Sequence, residues 1–164
     1  MNKQDIQFLY RYNSWANKRI LNAAAAVDDE LFSSPSSFPH GGLHGTLTHT
    51  LMAEWLWRRR WQGESPSIII KPEDIPTFEA LQSRWLEEET TLTAFIDSLT
   101  DEKLNATFHY KTTQGDKREG ILWQLMTHVV NHGTQHRSEA AAMLTELGHS
   151  PGNIDLSVFL REMK

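Results

Sequence analysis

The chain has 164 residues, of which 39% are hydrophobic and 23% charged, with a net charge of -5, which suits one soluble domain with a substantial core and lacks the basic excess needed to neutralise nucleic-acid phosphates. It contains no cysteine, which excludes disulfides, thiolate zinc sites and a protein-borne thiol nucleophile, so any metal must be held by His and carboxylate. Met1–Asp5 lacks the apolar run of a signal peptide and no apolar stretch approaches the ~20 residues that span a bilayer, so a cytoplasmic protein with no membrane partner is expected.

From Asp5 to Val27, Ile6, Leu9, Tyr10, Trp15, Ile20, Leu21 and Ala24 recur at mostly helical intervals without Gly or Pro, which predicts a first helix. Asp28-Asp29 and the Ser/Pro-rich stretch Ser33 to Pro39 break it, and Gly41-Gly42 permits a sharp re-entry. Leu43 to Trp61 reads as a second helix with Leu43, Leu47, Leu51 and Trp55 on its apolar face. His49 lies within it and is placed to point inward, whereas His44 belongs to its edge. Arg58-Arg59-Arg60 is expected as a solvated terminus that complements the helix dipole, with an anion clamp as the competing reading.

Gly63 to Pro76 holds three prolines and the run Ile68-Ile69-Ile70, so an extended connection is expected there. Thr77 caps a third amphipathic helix through Leu99, with the acidic residues 87 to 89 expected on its solvated side. Thr100 caps a further turn, Ala106 to Lys111 alternates, and Gly115-Asp116 supplies the turn of a small hairpin. A fourth helix is predicted from about Arg118 through Leu147, stopped by Gly148, and Asp155 to Met163 forms a short terminal helix. The pattern defines an all-α protein: a single-domain four-helix bundle with an extra C-terminal helix and a small hairpin before the fourth helix.

His128, His132 and His136 stand four residues apart in that fourth helix, so at about 100° per residue neighbouring imidazoles share one slowly rotating stripe. A single helical histidine is more often a hydrogen-bonded core residue than a ligand, but three in register suit a metal, and a mid-helix position predicts that they lie deep in the bundle. Two imidazoles seldom suffice, and His49 on a facing helix can supply the third.

The segments Tyr12-Asn13-Ser14-Trp15-Ala16-Asn17, Leu47-Thr48-His49-Thr50-Leu51-Met52-Ala53-Glu54-Trp55 and His128-Val129-Val130-Asn131-His132-Gly133-Thr134-Gln135-His136-Arg137 resemble the DinB family of damage-inducible, metal-dependent helical proteins, across essentially the whole chain. The resemblance implies a metal triad of His49, His132 and His136, with His128 as the alternate, and a homodimer. The family frequently has Gln where this chain has Glu139, which shares the face of His132 and His136. Glu139 can orient a ligand imidazole or act as base, supply a further oxygen to the ion, or form an ordinary surface ion pair.

Three neutral imidazoles leave a divalent ion its charge and an open position, the arrangement of catalytic sites. Zinc or nickel is expected first, with iron and manganese also compatible. The expected function is a metal-dependent transferase or hydrolase acting on a small molecule, with Arg137 or Arg58 as an anion clamp. The resemblance extends to enzymes that use low-molecular-weight thiols such as bacillithiol, and a chain without cysteine must receive its thiol with the cosubstrate. The competing reading is a non-catalytic stress or structural protein whose ion cross-links the second and fourth helices.

Overall fold

The computed structural model describes residues 1–163. Four long helices, α1 (Lys3–Ala24), α3 (Leu43–Trp61), α4 (Phe78–Asp97) and α6 (Leu122–Glu146), form the bundle, and the shorter α2 (Asp29–Phe32), α5 (Asp101–Asn105) and α7 (Leu156–Glu162) close its loops and end. Helices α1 and α3 each pack against both α4 and α6. The fold is the expected all-α bundle with its C-terminal helix, and no helix among the described residues is long and apolar enough to cross a membrane.

Local chemistry sets the ends. Asn2 and Asp5 form a reciprocal capping box at the start of α1, with Asp5 N–H donating to Asn2 Oδ1 at 2.9 Å and Asn2 N–H to Asp5 Oδ2 at 3.0 Å. Thr77 caps α4, Thr100 caps α5 and Asp155 caps α7, each accepting a first-turn amide. Beyond α6, Gly148 takes a left-handed φ of 83° that other residues adopt only with strain.

The fourth long helix starts at Leu122 rather than near Arg118. Residues Lys117–Ile121 are instead β2, antiparallel to β1 (Thr107–Lys111) with Tyr110 opposite Arg118. The alternating segment pairs across the Gly115 turn, so those residues hydrogen-bond laterally instead of extending the helix.

The apolar core falls into two clusters. One gathers Ile6, Tyr10, Leu92, Ile96, Met126, Val129, Val130 and Phe159; the other gathers Ile20, Phe32, Leu47, Leu51, Leu81, Trp85, Ala140 and Leu144. Between them in sequence, on every long helix, stand buried polar residues: Asn13 and Asn17 on α1, Glu54 and Arg58 on α3, Glu88 on α4, Arg137 on α6. Each fully buried large apolar side chain contributes about 1.5–3 kcal/mol, so the two clusters supply the adhesion and the polar waist must satisfy itself.

Two arrangements meet most of that demand, leaving Arg137 Nε buried without a partner. Arg58 grips Glu88 through two bonds, Nε to Oε1 at 2.5 Å and Nη2 to Oε2 at 2.7 Å. Arg137 and Glu54 are bridged by amides: Arg137 Nη1 donates to Oδ1 of Asn13 at 2.6 Å and of Asn17 at 2.9 Å, while both asparagine amides donate to Glu54 Oε1 at 2.6 and 2.9 Å. Gly133 leaves room for this network, since a Cβ there would lie 2.8 Å from Arg137 Nη1.

These contacts correct three expectations. Glu88 is buried rather than on a solvated face, because α4 turns it toward Arg58. The arginine run is a solvated terminus only at Arg59, which pairs with Glu64 at the surface: Arg58 is buried on Glu88, and Arg60 lies buried over the rings of Trp57 and Tyr110. Neither Arg58 nor Arg137 is an anion clamp, since each is already spent on buried partners.

Candidate metal centre

Helices α3 and α6 pack along one seam, and the histidines converge there. His49 Nε2 is 3.2 Å from His132 Nε2, and His132 Nε2 is 3.1 Å from His136 Nε2. The inward stripe of α6 is Met126, Val129, Val130, Gly133, Arg137 and Ala140, which leaves the histidine stripe on its flank. The cluster is therefore not deep in the bundle: His136 is buried, His49 and His132 are half-buried, and His128 is exposed. His128 stands 6.0 Å from the His132 ring, outside the tight nitrogen cluster, and packs edge-on to Trp57 at 5.6 Å. His44 is directed elsewhere, with Nε2 2.7 Å from the carbonyl of Ile75.

Glu139 lies one turn beyond His136, and its Oε2 is 2.7 Å from His136 Nδ1. A carboxylate only accepts, so Nδ1 carries the proton and Nε2 of the neutral ring presents a lone pair to the cluster. His136 is thus fixed in the tautomer that a metal ligand requires, with Glu139 on the side of the ring away from the other imidazoles' Nε2 atoms.

Burial disfavours charge here. Desolvation, reinforced by His40, His136 and His132, pushes His49 down to about 3, and desolvation with His136, His128 and His40 pushes His132 to about 4 despite Glu139. These imidazoles stay neutral at physiological pH, ready to donate lone pairs.

A fourth imidazole joins them from outside the helices. His40, on the short turn Pro39–Gly41 before α3, stacks on His49 with ring centroids 3.8 Å apart and stands edge-on to His136 at 5.0 Å. Ligand atoms of His40, His49 and His136 lie within 4.8 Å of one another. The sequence reading did not weigh His40. It has no helical register to place it, and its one signal is a position between Pro39 and Gly41-Gly42, where the chain must double back just before the helix of His49.

Two of the three spacings in the donor set suit a divalent ion, and the ligand atoms of His49 and His136 lie within 4.8 Å of each other. Nitrogens bound to one ion at about 2.0–2.1 Å stand about 2.9–3.4 Å apart between octahedral and tetrahedral angles. The 3.1 and 3.2 Å spacings fall within that range. Neutral imidazoles at such spacings otherwise set lone pairs against one another, because each Nε2–H can serve only one neighbour.

The fold and this cluster together define a four-helix bundle with imidazoles gathered between facing helices. A profile of the DinB family matches residues 1–163, and the chain belongs to that family. It is similar to Protein DinB of Bacillus subtilis (strain 168), with 23% identity over 159 residues that cover 93% of this chain and 91% of that protein.

Proposed function

We propose that this protein is a metal-dependent enzyme whose divalent ion is held by His49, His132 and His136, with Glu139 fixing His136 from behind. The observation that carries this reading is the Nδ1 to Glu139 bond of 2.7 Å, which turns the His136 lone pair toward two more imidazole nitrogens. An ion held by three imidazoles supplies a Lewis-acidic position that favours the deprotonated form of a bound water or thiol. Around it the chain's own residues do the rest. Glu139 keeps the Nδ1 proton in place, and the half-buried Trp57 with His128 flanks the seam beside the cluster. The substrate class we favour is a small molecule activated together with a low-molecular-weight thiol, since no cysteine in the chain can provide one.

A second reading is favoured by one observation, the nearness of His40: four imidazoles can close a structural ion's coordination without leaving a place for substrate. Metal analysis of chelator-free protein tests the common part. Near-stoichiometric metal is expected in wild type and in His128→Ala, with loss in His49→Ala and in His132→Ala. Metal-free wild type after reconstitution would end both readings.

A further inference from the structure

His40 differs from the other clustered histidines in how it is held. Its backbone is left-handed, with φ 64° and ψ 12°, a conformation that non-glycine residues adopt only with strain. The residue itself is exposed. Its turn is fastened by four bonds: Ser36 N–H to the Gly41 carbonyl at 3.0 Å, Gly41 N–H to the Phe38 carbonyl at 3.2 Å, Phe38 N–H to Ser36 Oγ at 3.2 Å, and the Thr46 hydroxyl to the Pro39 carbonyl at 3.2 Å. It can lie so close to α3 because residue 45 is glycine, where a Cβ would overlap the carbonyl oxygen of His40. Both the strained backbone and the missing Cβ serve to set this imidazole over His49.

The ring is nevertheless set differently from the helical ligands. The rings of His40 and His49 are stacked with planes inclined by only 14°, so their in-plane lone pairs lie in nearly parallel planes and do not converge on one point. Coordination needs the His40 ring to tilt, whereas His132 and His136 already face their neighbours nitrogen to nitrogen. A ligand on an exposed turn that must tilt to bind is one that also leaves readily.

We propose that His40 is an exchangeable fourth ligand of this centre, closing the ion's remaining position at rest and yielding it to an incoming anionic donor such as a thiolate. The proposal rests on the metal-site reading above. It also reconciles the two readings there, since the same site is closed at rest and open to substrate.

The test uses cobalt(II)-loaded protein and imidazole as the added donor, read by visible absorption. His40→Ala should retain cobalt with an altered spectrum, and added imidazole should restore the wild-type spectrum. It should bind there about tenfold or more tighter than to wild type, because an occupant that holds a site most of the time reduces a competitor's affinity by the fraction left free. Gly45→Ala keeps the histidine but pushes its turn away while favouring the helix, and should follow His40→Ala in both readouts. Coincident spectra and imidazole affinities in wild type and His40→Ala, with cobalt bound in both, would overturn the proposal and leave the three-histidine site standing. Loss of cobalt from His40→Ala would make the ligand obligatory and overturn its exchange. Failure of wild type to take up cobalt would remove the metal site and the proposal together.

Discussion

The bundle carries polar side chains in two places at its waist, and they are built on opposite rules. Inside, Arg137, Asn13, Asn17 and Glu54 match donors to acceptors: the guanidinium gives, the amides accept and give in turn, and the carboxylate receives. On the α3–α6 seam, the imidazole nitrogens of His49, His132 and His136 crowd at 3.1 and 3.2 Å, and with its proton on Nδ1 His136 presents a lone pair there. A polar set whose donors and acceptors are largely matched serves the fold, whereas crowded imidazole nitrogens suit the cation proposed above.

The largest expected effect breaks the inner half of this comparison. Arg137→Met removes the charge opposite Glu54 and strands two asparagine oxygens, and loss of one partner of a buried pair costs about 3–5 kcal/mol. Denaturant unfolding should show that loss in metal-free protein, where the histidine site cannot be its cause. A decrease below about 1 kcal/mol, the range of an exposed pair, would mean that the network is not the integral part of the fold described here.

The outer half is tested through Glu139. Glu139→Gln keeps the size of the side chain but can offer His136 Nδ1 a donor as well as an acceptor, so the tautomer is no longer fixed. Metal affinity should fall about 10- to 100-fold, as when an outer partner of a ligand imidazole is lost. Chelator competition measures it, and the unfolding midpoint of the metal-free protein should hardly move. Unchanged affinity would leave Glu139 as an ordinary ion-pair partner.

How far the sequence reveals each region follows from periodicity. The four long helices, the Thr77 cap of α4 and the Thr100 cap of α5 follow from helical spacing and cap chemistry, as does the stripe of His128, His132 and His136, whereas the choice of His132 and His136 to meet His49 comes with the family resemblance. Glu88 and Arg58 look like surface charges on the basis of spacing, because spacing gives the face but not the partner across it. Gly120 and Ile121 extend the apolar pattern of α6 backwards, yet lateral pairing with Thr107 and Phe108 makes them strand. His40 is the furthest from view, since a turn with a left-handed residue has no repeat to extrapolate.

Acid separates the two regions by sign. In the unfolded chain His49 and His132 titrate near 6.5, whereas burial and neighbouring imidazoles hold them at about 3 and about 4 in the fold. Between those limits the unfolded chain binds protons that the folded chain refuses, so stability rises with pH across the window. The contribution is full above about 6.5 and drains away as the pH falls toward 4 and 3. Glu54 acts in the other direction. Burial raises it above 4.5 against the pull of Asn13, Asn17 and Arg137, so the folded chain holds that proton first and gains from acidification through the same region. Metal-free wild type should therefore lose unfolding temperature from pH 7 to pH 5, and His49→Ala should flatten the decline. The effect is the smallest of these because both imidazoles are half-exposed and water screens them. A slope unchanged in His49→Ala would assign the acid sensitivity to groups outside the histidine seam.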